Sequence, residues 1–156
     1  MAIASFLALV TGCADDPPTG HEDRLHKAAG LAAFKITCTR DMWERTTALS
    51  DPLLGSFRDA KPRKSDGAAR GRGLVDVTLT GPQLVDYLKQ LNDDMSGGLL
   101  GRDSVEPMSR RMYEAIAPVV DRIQKNGPPT EVPTATVDDA VAPAGPETSP
   151  TAGTRA

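Results

Sequence analysis

The stretch Gly73–Leu91 reads GLVDVTLTGPQLVDYLKQL and carries the strongest local folding signals in the chain. From Val75 to Leu79, apolar and polar residues alternate, which predicts a short strand with one buried face. Thr80 and Gln83 then have the spacing of a capping box, in which each side chain satisfies a backbone N–H that the first helical turn leaves unpaired. The chain is therefore predicted to pass directly from a strand into a helix. The apolar residues of that helix share one face: Leu84, Val85, Leu88 and Leu91.

Two further segments have helical patterns. Apolar residues recur at helical intervals over 21–50, where Thr19 and Glu22 also have capping-box spacing. The run ITCT at 36–39 is largely β-branched, which leaves open whether this segment forms one helix or two. A stripe over 104–126 predicts another helix, with Pro118 inside it. These patterns predict a mainly α fold for residues 21–126, with a helical core and one short strand; a small α+β fold is the alternative.

The charged residues are unevenly distributed along a chain of 156 residues with a formal net charge of −3. A basic loop is predicted at 58–73, because three glycines and a proline interrupt it and no apolar periodicity runs through it. It lacks the residue order of a phosphate-binding loop and the aromatic residues that stack on bases, so nucleic acid is not a predicted partner. Contact with anionic headgroups or wall polymers is a hypothesis that its charge permits. Its charged residues are Arg58, Lys61, Arg63, Lys64, Arg70 and Arg72, with Asp59 and Asp66.

The C-terminal segment 127–156 is rich in Pro, Ala, Thr and acidic residues and contains no aromatic residue. This composition predicts a disordered tail, because such a chain buries too little apolar surface to offset the entropy of ordering it. With both ends set aside, about 100 residues remain, which predicts a single domain.

The segment NDDMSGGLLGRD at 92–103 has part of the register of a calcium-binding loop. Asn92, Asp94 and Ser96 fall at positions one, three and five, and Asp103 falls at position twelve. Position one is a neutral Asn, and Asp at position twelve reaches an ion less readily than the usual Glu, so any affinity should be poor. We predict a helix–helix connection with no bound metal, and a weak calcium-binding module is the alternative.

Histidine and cysteine form no recognisable zinc or catalytic pattern. His21, Glu22 and His26 have the order H-E-x-x-x-H, one residue longer than the spacing that places two zinc-binding histidines on one helix face. Cys38 is predicted to be buried beside Met42 or Trp43. No serine has the sequence context of a nucleophile elbow. We therefore predict no cofactor, no catalytic residue and no enzymatic activity.

The N-terminal stretch MAIASFLALVTGCA contains an apolar run that is too short to span a bilayer. The run ends in Val10-Thr11-Gly12-Cys13, which resembles a bacterial lipobox: an aliphatic residue and two small residues before an invariant cysteine. The resemblance implies a signal peptide at 1–12, cleavage after Gly12, and acylation of the Cys13 thiol within a tether at 13–20. Unlike most export signals, the run has no Lys or Arg before it. Without lipidation, a Cys13–Cys38 disulfide is the competing prediction.

The lipobox resemblance implies a lipoprotein anchored to the cell membrane by its lipid, on the extracytoplasmic face. Arg outnumbers Lys by 12 to 6, and Ala, Gly and Pro are abundant, which is similar to small uncharacterised lipoproteins of high-GC Gram-positive bacteria. The predicted role is binding or structural, with the membrane and an unidentified protein or cell-envelope component as partners. The alternative is a non-lipidated helical protein, cytosolic or encoded by a mobile element.

Overall fold

The computed structural model describes residues 18–48, 55–96, 106–123 and 131–138. In these ranges the chain forms five α-helices, one 3-10 helix and a four-stranded mixed sheet, so the fold is α+β. The prediction of a mainly α fold with one short strand is wrong. The elements in chain order are α1 His21–Ala29, β1 Phe34–Thr39, α2 Arg40–Thr47, the 3-10 helix Ser56–Asp59, β2 Arg63–Lys64, α3 Gly67–Gly71, β3 Leu74–Leu79, α4 Gly81–Met95, α5 Glu106–Asp121 and β4 Thr134–Thr136.

The sheet has the strand order β2-β3-β1-β4. Its two central strands, β1 and β3, run antiparallel over six residue pairs, with Ile36 opposite Val77. The short strand β2 is antiparallel to β3, whereas β4 is parallel to β1. Only one residue, Thr80, separates β3 from α4. The predicted strand–helix unit therefore consists of a central strand of the sheet and the helix that directly follows it.

The strand–helix unit agrees closely with its prediction. Thr80 Oγ1 accepts a hydrogen bond from the Gln83 backbone N–H at 3.5 Å, and the Thr80 N–H donates to Gln83 Oε1 at 2.9 Å. The predicted capping box is therefore confirmed. The helix predicted over 104–126 is present as α5, over Glu106–Asp121, with Pro118 inside it.

The segment 21–50 contains a strand between two helices. Phe34, Ile36 and Cys38 are fully buried, while Lys35 is partly exposed. The sequence of this segment therefore contains the two-residue period of a strand as well as the spacing of a helix. Pairing with β3 decides between the two patterns, because it satisfies the strand's backbone groups and buries its apolar face. At the start of α1, Gly20 is the N-cap residue, with φ of 82° and no side-chain cap hydrogen bond, so the capping box at Thr19 and Glu22 is wrong.

Part of the predicted disordered tail belongs to the sheet. Ala135 and Val137 are almost completely buried, and Thr134–Thr136 pair with β1. Two backbone hydrogen bonds of 2.8 Å extend the pairing, from Lys35 N–H to the Pro133 carbonyl and from Val137 N–H to the Thr37 carbonyl. The prediction of a disordered tail over 127–156 is therefore wrong for residues 131–138. The rest of that segment lies outside the described residues.

The predicted basic loop also contains secondary structure, because the 3-10 helix ends inside 58–73 and β2 and α3 follow.

The helices and the buried side chains of the sheet form one core. On the sheet side it contains Phe34, Ile36, Cys38, Val75, Val77, Leu79 and Ala135; on the helix side it contains Leu84, Leu88, Leu91, Met112, Ile116 and Val120.

Candidate functional site

The face of the sheet opposite the core carries polar side chains. Because residues directly opposite each other in antiparallel strands point to the same face, the pairs Lys35–Thr78 and Thr37–Asp76 lie together on this side. Arg63 of β2 also pairs with Asp76. We call the surface formed by Lys35, Thr37, Arg63, Asp76 and Thr78 the open face. It brings together residues from three strands that are up to 43 positions apart in the chain.

Asp76 is the centre of a hydrogen-bonded cluster on the open face. Its Oδ1 accepts hydrogen bonds from Thr37 Oγ1 at 2.7 Å and from Ser65 Oγ at 2.5 Å, and its Oδ2 lies 3.7 Å from Lys35 Nζ. Partial burial alone raises the pKa of Asp76, but the hydrogen bonds from Ser65 and Thr37 and the charge of Lys35 together lower it below its usual value. The carboxylate therefore stays ionised, and it orders two hydroxyl groups as donors.

A cavity of about 680 Å³ adjoins this cluster. Its walls come from the open face, from β2 and its flanking residues, and from the first turn of α4. Cationic, anionic and neutral polar side chains all line it. The lining residues are Lys35, Asp59, Ala60, Lys61, Arg63, Lys64, Asp66, Asp76, Thr78 and Gln83.

A second, smaller cavity of about 330 Å³ is adjacent, and Lys64 lines both. Its charged side chains are all basic: Arg40, Lys64 and Arg70. The cavity is completed by Gly73, Leu74 and Val75 at the start of β3. The two cavities therefore differ in chemistry, because the first presents hydrogen-bond acceptors as well as cations and the second presents cations alone.

Around these cavities, the side chains of four basic residues have no hydrogen bond or ion pair with another described residue: Lys61, Arg63, Lys64 and Arg70. Elsewhere, many basic side chains are paired; Arg24, for example, binds Asp121 through two hydrogen bonds of 2.9 Å. Lys35 and Arg40 lie outside the basic segment 58–73 and reach the cavities from β1 and α2. The alternation of FKITCT at 34–39 contains the signal that places Lys35 on the polar face, but the helical spacing over 21–50 favours a helix at the same positions.

The residues considered for calcium binding have structural roles in the described part of the chain. Asp94 is buried in α4, where its carboxylate accepts hydrogen bonds from Gln90 Nε2 at 2.7 Å and from Ser109 Oγ at 2.9 Å. Ser96 Oγ donates to the Asn92 carbonyl at 2.9 Å and closes the last turn of the helix. Asp103 lies outside the described residues. No group of three or more His, Cys, Asp or Glu side chains that could hold a metal is found among the residues described.

Cys38 and His21 are both buried. The prediction for Cys38 is confirmed, and burial raises the pKa of its thiol to about 12, so the thiol remains protonated. His21 Nδ1 lies 2.7 Å from the Tyr113 hydroxyl, which also accepts a hydrogen bond from Arg24 at 3.4 Å. His21 therefore joins α1 to α5, whereas His26 is exposed.

The pKa of His21 is lowered, chiefly because burial disfavours the charged imidazolium. The unfolded state therefore binds a proton more readily than the folded state. His21 does not reduce the free energy of unfolding above about pH 6.5, where it is neutral in both states, but it does so increasingly as the pH falls below that value.

We expect the urea midpoint to decrease between pH 7.5 and 5.5, and His21→Gln should flatten this dependence. His26→Gln, an exposed change in the same helix, is the control. Equal pH dependence in the two variants would contradict a role for His21. The charged groups that also act on His21 are Glu22, Arg24, Asp93 and Lys89.

Comparison of the chain with protein-family models, with curated proteins and with solved structures found no significant match in any of the three. In the described ranges, no helix has both the length and the apolar character needed to cross a membrane. The segment containing Val10-Thr11-Gly12-Cys13 lies outside those ranges. The function is therefore inferred from the open face, the two cavities and the lipobox pattern.

Proposed function

We propose that this chain is a ligand-binding domain of the bacterial cell envelope, anchored on the extracytoplasmic face of the membrane by lipid on Cys13. The observation that carries the binding role is the set of four cations whose side chains have no partner among the described residues, around two cavities at the β2 edge of the sheet that share Lys64. The lipobox pattern at 10–13 supports the anchor.

The polar groups at the open face are better suited to binding than to catalysis. Ser65 is almost completely buried, and its hydroxyl is held by Asp76, so it presents no free nucleophile. The Cys38 thiol is buried in the core and protonated. The exposed groups are charges and hydrogen-bonding side chains, which recognise a ligand without reacting with it.

The proposed anchor would hold the N-terminal end of the described domain close to the membrane. Cys13 is separated from Pro18, the first described residue, by a segment that spans at most about 18 Å when fully extended. A single acyl chain binds a membrane only marginally, whereas the several chains of a mature lipoprotein bind it stably. The ligand would therefore be a component of the cell envelope within reach of a domain tethered to the membrane.

The anchor is tested by intact mass spectrometry of the protein isolated from membranes of its bacterial host. We expect residues 1–12 to be absent and the remaining chain to carry the mass of acyl groups on Cys13. Cys13→Ser should move the protein out of the membrane fraction, and protease added to wall-stripped intact cells should digest the wild type. An unmodified Cys13 with residues 1–12 still attached would contradict the anchor and would favour a non-lipidated protein.

A further inference from the structure

We propose that the two cavities form one binding site for a phosphorylated polyol, a ligand in which phosphate groups and free hydroxyl groups alternate. This inference rests on the proposed binding role of the open face. It goes further by assigning the class of ligand and the part of the ligand that each cavity holds.

The cations that define the site lie within residues 61–70, on successive elements of this segment. Lys61 precedes β2, Arg63 and Lys64 belong to β2, and Arg70 lies in α3. An isolated surface cation is normally solvated and needs no ligand. Here, however, the four residues line two recesses that share Lys64, and because Arg63 pairs with Asp76 and Lys64 with Val75, these recesses lie on either side of the edge strand β2. A ligand with two or more negative groups matches this arrangement, and the guanidinium groups of arginine suit phosphate because they donate paired hydrogen bonds to its oxygens.

The carboxylates in the larger cavity exclude a ligand that is anionic throughout. Asp59, Asp66 and Asp76 would repel such a ligand, but each can accept hydrogen bonds from hydroxyl groups. Thr78 and Gln83 add neutral groups that both donate and accept. The larger cavity therefore suits a hydroxyl-bearing unit next to a phosphate.

The smaller cavity suits a phosphate alone. Arg40, Lys64 and Arg70 line it, and no carboxylate does. Arg40 also has a partner, since its Nη1 lies 3.6 Å from a Glu44 carboxylate oxygen. A ligand that reaches both cavities would place successive phosphates on either side of Lys64.

The remaining lining argues against an anionic ligand that stacks a base or inserts lipid tails in the site. No aromatic ring is among the residues that line either cavity, so a nucleotide base would have no stacking partner there. Apolar side chains that would insert between lipid tails are also absent from the larger cavity, apart from the small Ala60. The larger cavity falls within the range of about 300–1,000 Å³ that is usual for small-molecule sites.

Binding is tested with glycerol phosphate in two forms, because a free polymer and a lipid headgroup share this chemistry. The probes are soluble poly(glycerol phosphate) and vesicles of phosphatidylglycerol in phosphatidylcholine. The protein is the 156-residue chain carrying Cys13→Ser, so that no acyl group contributes to vesicle binding. We expect saturable binding of at least one probe by calorimetry or co-sedimentation. Binding of the polymer alone would identify a polymeric source, and binding of vesicles would identify a headgroup; both outcomes support the site.

The matched variants remove equal charge from two parts of the molecule. Arg63→Gln, Lys64→Gln and Arg70→Gln together should weaken binding at least tenfold, because three phosphate contacts are lost. The control combines Lys89→Gln, Arg110→Gln and Arg122→Gln, which removes the same charge from exposed positions on and beside α4 and α5. The control should change affinity by less than twofold. Failure of both probes to bind, or equal weakening by the two triple variants, would overturn the proposal.

The hydroxyl-binding role of the larger cavity has its own test. Asp59→Ala with Asp66→Ala should weaken binding of poly(glycerol phosphate), because acceptors for its hydroxyl groups are lost. A site for simple anions would instead bind more tightly once the two negative charges are removed, and equal or tighter binding would overturn the assignment. So would inorganic phosphate that competes as well as the polymer at equal phosphate concentration. These results are independent of the anchor, because the protein tested carries no lipid.

Discussion

Replacing Gly81 with alanine is expected to lower the free energy of unfolding by about 3 kcal/mol, at the upper end of the usual cost of overpacking. A Cβ at this position would lie 2.6 Å from the Leu31 carbonyl oxygen and 2.7 Å from the carbonyl oxygens of Ala28 and Ala29. These are backbone atoms, so the end of α1 and the start of α4 would have to separate. The movement would also strain the 3.0 Å hydrogen bond from the Gly81 N–H to the Leu31 carbonyl.

Gly30→Ala is the control for this change, because it lies at the same end of α1 in an open environment. A Cβ there would meet only the Lys27 carbonyl oxygen, at 3.8 Å, and the residue has a right-handed conformation that alanine adopts readily. We expect it to change stability by less than about 0.5 kcal/mol. Urea denaturation of the two variants and the wild type measures the difference. A Gly81→Ala protein as stable as Gly30→Ala would show that α1 and α4 do not approach this closely.

Tyr87→Ala is expected to destabilise the protein by about 4 kcal/mol, as truncation of a fully buried aromatic side chain usually does. Its ring lies between those of Trp43 and Phe57, with centroids 5.1 and 5.2 Å away, and its hydroxyl lies 2.7 Å from Thr46 Oγ1. Truncation leaves a cavity where α2, α4 and the 3-10 helix meet. Such a loss is a large fraction of the 5–15 kcal/mol that typically stabilises a domain.

Tyr87→Phe separates ring packing from hydrogen bonding at this position. The Thr46 hydroxyl keeps the carbonyl oxygens of Met42 and Trp43 as partners, so we expect a loss of only about 1 kcal/mol. Denaturant midpoints of the two variants provide the comparison. If Tyr87→Phe cost as much as Tyr87→Ala, the hydrogen bond and not the packed ring would hold this part of the core.

The packing around Tyr87 also positions one wall of the larger cavity. Phe57 belongs to the 3-10 helix, which ends at Asp59 just before Lys61, and this helix is tied to α4 by two further contacts. Ser56 Oγ donates to an Asp86 carboxylate oxygen at 2.6 Å, and Gln83 Nε2 donates to the Ser56 carbonyl at 3.1 Å. Asp59 and Lys61 therefore lie at the end of a segment that is fixed to α4 by the packing of Phe57 and by these hydrogen bonds.

Sequence reasoning was most accurate where the deciding interactions are local. The capping box of Thr80 and Gln83 joins residues three positions apart, and the strand before it buries alternate residues along one short segment. The cluster of basic residues at 58–73 was also visible directly. Such features can be recognised within one short segment, because the residues that interact are close together in the sequence.

The tertiary structure decided the remaining features, because their partners are distant in the chain. Residues 34–39 fit both a strand and a helix until pairing with β3 satisfies their backbone. The three residues of β4 carry no strong signal of their own and become a strand only beside β1, about 100 positions earlier. The same pairings place Lys35, Arg63 and Asp76 on one face and so create the candidate site. By itself, the sequence determined the strand–helix unit, the basic segment and the lipobox pattern, whereas the α+β architecture and the two cavities required long-range strand pairing.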